Sequence, residues 1–307
     1  MTLSINTPCI ESRPLSSAAE RSVFVKLDAL QPSGSFKIRG IGLLCEEHAS
    51  RGAQRFISSS GGNAGLAVAY AGRMLKVPVV VVVPESTTSR AKEMIRRENA
   101  EVITHGVSWQ EANELALSMV TEQDAFLHPF DHPRIWSGHA TVIDEVVQAG
   151  IRPQAVITCV GGGGLLCGVV EGLRRNGLAH VPVVAVETTG ADSLHQSLHA
   201  GERIELPAIT SIATSLGAKK VAEQAFAYTK EHDIRSVVVS DAQAVRACLR
   251  FIDDHRIVLE PACGAALAVA YEKDPALLGF DSVLVIACGG VTTTPRQLEE
   301  YAQKLGA

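Results

Sequence analysis

The 307-residue chain predicts an α/β fold of two open twisted-sheet domains, a smaller α/β domain inserted in a larger one. Three observations carry this. Short apolar runs alternate with helix-length segments along most of the chain, the βαβ rhythm of a largely parallel sheet. Aromatic residues make up only 5%, while Val, Ala, Leu and Gly dominate, which suits helices packed on sheets better than a β-sandwich. The rhythm also breaks around residues 126–133, where LHPFDHP places two prolines close together. A domain crossing is expected there, so residues 1–34 and 135–307 form the larger domain and 35–134 the smaller.

Residues 22–27 (SVFVKL) read as a strand, after which Pro32 and Gly34 turn the chain into a helix carrying Lys37 at its start. A short strand at 56–58 leads into the polar loop Ser58-Ser59-Ser60-Gly61-Gly62-Asn63. The helix that follows, 64–75, is almost wholly apolar and therefore buried on most sides. The continuous apolar run 78–83 is a strand covered on both faces. A charged helix at 89–99, a strand at 101–104 and an amphipathic helix at 109–120 complete this unit. Beyond the break, 134–148 is helical, and the buried strand 155–160 ends in Gly161, Gly162, Gly163 and Gly164 before a helix that runs to about residue 175. A strand at 181–186 closed by Glu187, a helix at 191–199 and a loop at 201–217 come next. Strands at 236–239 and 282–287 alternate with helices at 241–251 and 264–271, and a helix covers 295–305.

Composition excludes several classes of function. A net charge of -5 without a basic run argues against nucleic acid and anionic membranes. The apolar run 77–83 is too short to span a bilayer. Seven cysteines without a CxxC pair, most of them inside apolar runs, read as free thiols in a reducing cytoplasm, and the opening MTLSINTPCIESRP lacks the apolar core of a signal peptide. The glycine run lacks the Lys-Ser/Thr of a phosphate-binding P-loop, and GxGxxG fails at Leu166 and Cys167. There is no HExxH and no GxSxG.

Chemistry concentrates at strand ends. Lys37 follows a Pro/Gly/Ser turn between Phe36 and Ile38, apolar neighbours that favour the neutral, nucleophilic amine needed for a Schiff base. Four glycines between a strand and a helix let backbone N–H groups close round a phosphate. The loop at Ser60, Gly62, Asn63 and Ala64 opens a second helix N-terminus, suited to a carboxylate, although capping of the helix explains the same residues. A phosphate on a carbonyl cofactor, beside a lysine, points to pyridoxal 5'-phosphate (PLP).

Five segments in order, PSGSFKIRG, SSSGGNAGLA, VGGGGLLCG, EPACGAALA and ACGGVT, resemble the PLP enzymes of the serine/threonine dehydratase family, of fold type II (tryptophan synthase β-like), and among them the liver-type L-serine dehydratases. The resemblance covers the chain from about Thr7 onward. It implies that Lys37 carries PLP and moves the substrate Cα proton, that Phe36 packs on the pyridine ring, and that Asn63 stands beside the 3-hydroxyl. Gly161, Gly162, Gly163, Gly164 and Leu165 would hold the phosphate, and Cys288 would face the pyridine nitrogen. Ser60, Gly61, Gly62, Asn63 and Ala64 would grip the substrate carboxylate. Glu187, most simply a helix N-terminal acid, would with Ala191, Leu216 and Ala218 hold a monovalent cation, K+ or Na+.

The implied reaction is dehydration and deamination of L-serine, and of L-threonine, in a cytoplasmic homodimer. Gly61 stands where related racemases resemble one another in having serine, which favours elimination over inversion, and it is expected to leave room for bulkier β-hydroxy amino acids. Asn63-Ala64 replaces the Asn-His of biosynthetic threonine deaminases and racemases. The chain ends soon after Cys288, so no regulatory module and no amino-acid feedback are expected. A serine racemase, a β-replacement synthase of the cysteine or threonine synthase type, and a PLP-binding amino-acid sensor without catalysis remain as alternatives.

Overall fold

A computed structural model describes residues 2–307. The chain divides into two compact units, one formed by the residues up to Ile5 with Gln31–Gly138, the other by Asn6–Leu30 with His139–Ala307. The boundaries expected at 34/35 and 134/135 fall at 30/31 and 138/139, and the first residues belong with the smaller unit. The cause is local: the Ile5 N–H donates to Gln31 Oε1 at 3.0 Å and Gln31 Nε2 donates back to the Ile5 carbonyl at 2.8 Å.

The larger unit begins with β1 (Cys9–Glu11), α1 (Arg13–Ala19) and β2 (Ser22–Lys26). The first two were not anticipated. Ser12 caps α1 by accepting the Leu15 N–H at 3.3 Å, with Pro14 in the first turn.

The smaller unit contains α2 (Lys37–Ser50), β3 (Arg55–Ser58), α3 (Asn63–Leu75), β4 (Val79–Val83), α4 (Ser89–Arg97), β5 (Glu101–Thr104), α5 (Trp109–Ser118) and β6 (Asp124–Phe126), with α6 (Pro133–His139) at its end. Its four-stranded sheet has the order β5-β4-β3-β6 and is parallel throughout. The chain steps outward from β3 to β4 to β5, then returns to the other side of β3 as β6. The strand order therefore reverses between β3 and β6. β4 is five valines, all buried, as a strand covered on both faces requires. The unexpected β6 is held by a charge pair: Asp124 accepts from Arg55 Nε at 2.9 Å and Nη2 at 2.8 Å across the β3–β6 register.

The larger unit resumes with α7 (Thr141–Gln148), β7 (Ala155–Cys159), α8 (Gly164–Arg175), β8 (Val183–Thr188), α9 (Ser193–Ala200), α10 (Glu223–Glu231), β9 (Ile234–Val239), α11 (Asp241–His255), α12 (Pro261–Tyr271), β10 (Ser282–Ile286) and α13 (Pro295–Leu305). The single helix expected over 134–148 is two, α6 and α7, broken at Ala140. Six strands lie in the order β1-β2-β10-β7-β8-β9, all parallel except β1. β7, β8 and β9 run to one edge while β10 inserts on the other side of β7, so this sheet reverses between β7 and β10. α12 is buried along its whole length and packs on β7, β8 and β10. Among the described residues no helix is long and apolar enough to cross a membrane.

Candidate active site

In the smaller unit, Gly34 closes the turn before α2: its N–H donates to the Gln31 carbonyl at 2.6 Å and its φ of 77° lies in the left-handed region that glycine tolerates. α2 then starts at Lys37, and the positive end of the helix dipole disfavours an ammonium placed there. Lys37 Nζ donates to the Pro129 carbonyl at 2.7 Å and lies 5.1 Å from the centre of the Phe36 ring. Pro129 follows β6, and the loop Ser59 to Asn63 follows β3. The amine and the loop thus meet the carboxyl ends of the two strands between which the sheet order reverses, where open α/β sheets bind ligands. The Ser33 and Ser35 hydroxyls, just before Lys37, are buried without a hydrogen-bond partner, as residues fit to receive a polar group would be.

The loop is anchored by Ser59, whose hydroxyl donates to Asn113 Oδ1 at 2.7 Å, and the Gly62 N–H points to Ser60 Oγ at 3.4 Å. It lies flat on α3 because position 65 lacks a side chain: a Cβ there would come within 1.7 Å of the Ser60 carbonyl oxygen. Asn63 and Ala64, both buried, open α3, and no acidic side chain in its first turn competes for the free N–H groups. Gly61 departs from expectation. A Cβ there would meet Thr87 Cγ2 at 2.6 Å and Oγ1 at 2.8 Å, so the room that glycine leaves is filled by Thr87 and is not open to substrate.

In the larger unit, the four glycines link β7 to α8 at the second reversal point. Gly163 has φ 89°, and a Cβ on it would lie 2.4 Å from Ala225 Cβ; one on Gly161 would lie 2.9 Å from the Ser215 carbonyl oxygen and 3.1 Å from Leu216 Cα. The Gly162 carbonyl accepts the Ala222 N–H at 3.0 Å. The loop is therefore held tightly from behind, with the first N–H groups of twelve-residue α8 left for an anion and no acid in the first turn. Leu165 is buried in that turn. This backbone cradle fits a phosphate.

Cys288 follows β10, the strand beside β7, and is buried. Its Sγ lies 3.4 Å from Cys159 Sγ and 3.0 Å from Cys263 Sγ, while Cys263 Sγ accepts the Gly289 N–H at 3.1 Å. Hydrogen bonds with Cys159 and Cys263, together with burial, push the Cys288 thiol well above its ordinary range and keep it neutral. A neutral thiol suits a pyridine nitrogen that is not to be held protonated. The roles of Cys159 and Cys263 beside it were not foreseen, although Cys159 directly precedes the glycine loop and Cys263 lies in EPACG.

Glu187 falls inside β8 rather than at its end. It is fully buried, and its two carboxylate oxygens accept the backbone N–H groups of Leu194 at 2.9 Å and His195 at 2.8 Å, so it acts on the N-terminus of α9 as an acid there should. Burial pushes its carboxyl up to about 8, against these hydrogen bonds. Ala191 turns back on Thr188, donating its N–H to the Thr188 carbonyl at 2.8 Å, and Leu216 packs behind Gly161 with the Ala218 N–H on its carbonyl at 2.8 Å. Ala191, Leu216 and Ala218 have only backbone oxygens to offer, which are, like the carboxylate, ligands of the type a hard cation takes. His139 is buried, and His255 Nε2 lies 2.7 Å from Ser12 Oγ.

Residues 2–289 match the family described as "Pyridoxal-phosphate dependent enzyme". The chain is 47% identical to the "Serine dehydratase-like" protein of Rattus norvegicus, over 97% of this chain and 94% of that protein. It is 44% identical to the "L-serine dehydratase/L-threonine deaminase" of Homo sapiens, over 99% of this chain and 96% of that protein. The solved structure of a fungal L-serine ammonia-lyase from Rhizomucor miehei superposes with a TM-score of 0.94 at 35% identity, covering 99% of both chains.

Proposed function

The chain belongs to the pyridoxal-phosphate dependent enzymes, and from that premise we propose that it converts L-serine to pyruvate and ammonia, and L-threonine to 2-oxobutyrate and ammonia. The observation that carries this reading is the 44% identity, over 99% of the chain, to a protein named for both reactions.

When bound, PLP supplies the electron sink that makes the substrate Cα–H acidic. We assign Lys37 to the cofactor aldehyde and Phe36 to its ring. Asn63 is assigned to the 3-hydroxyl, the N–H groups of residues 161–165 to the phosphate, and Cys288 to the pyridine nitrogen. The Lys37 amine, once free, takes the Cα proton and holds it on Nζ. The N–H groups at the start of α3, with Ser60, Gly61, Gly62, Asn63 and Ala64, bind the substrate carboxylate and orient Cα–H toward that amine. As the Cβ–O bond breaks, the departing hydroxyl gains one proton, the equivalent of the one taken from Cα, and leaves as water; hydrolysis of the released product gives the 2-oxo acid and ammonia.

Glu187, with the carbonyls of Ala191, Leu216 and Ala218, is assigned to K+ or Na+. The enzyme is placed in the cytoplasm, in keeping with seven free cysteines, as a homodimer.

The test is release of ammonia and 2-oxo acid from a panel of amino acids by the purified, PLP-loaded protein. Turnover of L-serine and L-threonine is the expected result. A yellow protein without ammonia release, faster formation of cysteine from an activated serine and sulfide, or D-serine as the main product would overturn it.

A further inference from the structure

We infer that His195 and His199, neither of them among the residues assigned above, form a surface site for a divalent transition-metal ion of the Ni2+ or Zn2+ type. α9 carries the two imidazoles at i and i+4, one turn apart on the same face. Their Nε2 atoms are 3.1 Å apart, with ring centroids 4.5 Å apart and planes at 70°. Two imidazole nitrogens each about 2.0–2.1 Å from one ion, in adjacent octahedral or tetrahedral positions, stand about 2.9–3.4 Å apart. The pair already has that spacing.

A second observation points the same way. His195 Nδ1 lies 2.9 Å from Ser236 Oγ on β9. With the Nδ1 proton given to that hydroxyl, the Nε2 lone pair of His195 is left facing His199. Such an outer partner fixes tautomer and ring orientation in metal-binding histidines. The backbone of His195 is held as well, through its N–H on Glu187 Oε2 at 2.8 Å. His199 is exposed, so an ion arrives directly from solvent.

Among the described residues, the cluster of three metal-binding side chains is Glu260, Cys263 and Cys288, elsewhere in this unit. An ion on the histidine pair therefore completes its coordination with water. Two imidazoles without a carboxylate select Ni2+, Cu2+ or Zn2+ over Mg2+ or Ca2+.

The experiment is calorimetric titration of the chelator-treated holoenzyme with Ni2+, and separately with Mg2+. One Ni2+ per chain is expected, and Mg2+ should give no binding. His199→Ala should weaken Ni2+ binding at least about tenfold, and Ser236→Ala about tenfold through loss of the ring's outer partner. His180→Ala should bind as the parent does, and circular dichroism verifies that each variant is folded. Failure of the parent to bind Ni2+ would show that the two rings merely share a proton, and the site would be refuted. Equal affinity of the parent and His199→Ala refutes it as well, and equal affinity of the parent and Ser236→Ala refutes the orienting role of Ser236.

Discussion

The side-chain amine of Lys37 donates to the carbonyl oxygen of Pro129 at 2.7 Å, joining the first residue of α2 to the segment that leaves β6. The sequence separation is wide, yet both residues stand at the carboxyl end of the smaller sheet, where its strand order reverses.

Replacing Lys37 by Ala should lower kcat for serine by at least about a thousandfold, within the range expected when a proton-transfer residue is lost. Borohydride reduction followed by peptide mass spectrometry should find PLP attached at residue 37 of the parent and at no site in the variant. An active variant, or attachment elsewhere, would contradict the assignment.

Gly163→Ala forces a side chain into a left-handed backbone position and against Ala225 Cβ, 2.4 Å away. The expected cost is about 1–3 kcal/mol of stability. The variant should melt at lower temperature and retain PLP less well through dialysis.

Cys263→Ala removes the sulfur that accepts the buried Gly289 N–H at 3.1 Å and that contacts Cys288 Sγ at 3.0 Å. Chemical denaturation should show a loss of about 1–3 kcal/mol. Cys263→Ser, which keeps a donor and an acceptor, should recover part of it. Cys288→Ala should reduce turnover more than stability, because it removes the group assigned to the pyridine nitrogen.

Glu187 makes the chain sensitive to pH. Its carboxyl is raised from 4.5 to about 8 by burial, so the folded chain holds a proton there that the unfolded chain has released. Its favourable contribution is complete below about 4.5 and is lost as pH rises through about 8. A cation on the ionised carboxylate would offset that loss. Potassium, compared with tetramethylammonium at equal ionic strength, should raise the melting temperature at pH 8.5. The gain is about 1.4 kcal/mol when K+ is tenfold above its dissociation constant, and it should shrink toward pH 5. Equal melting temperatures at pH 8.5 would remove Glu187 from the cation site.

The type and order of most elements were readable from local pattern. β4 is a run of valines, β5 and α13 begin and end where alternation and capping place them, and the glycine run sits between a buried strand and a helix. The elements that local pattern leaves unmarked, β1, α1, β6 and α10, are only 3, 7, 3 and 9 residues long, so periodicity carries little signal there. Lys37, the two glycine-containing loops and Cys288, the residues assigned to the candidate site, are legible as residue types at strand ends. Only tertiary structure could set Thr87 in the space beside Gly61, bring Cys159 and Cys263 to Cys288, and direct both oxygens of Glu187 at α9. Local propensity acts over a few neighbouring residues, whereas these contacts depend on which strands lie side by side, a choice made by burying whole faces of helix and sheet.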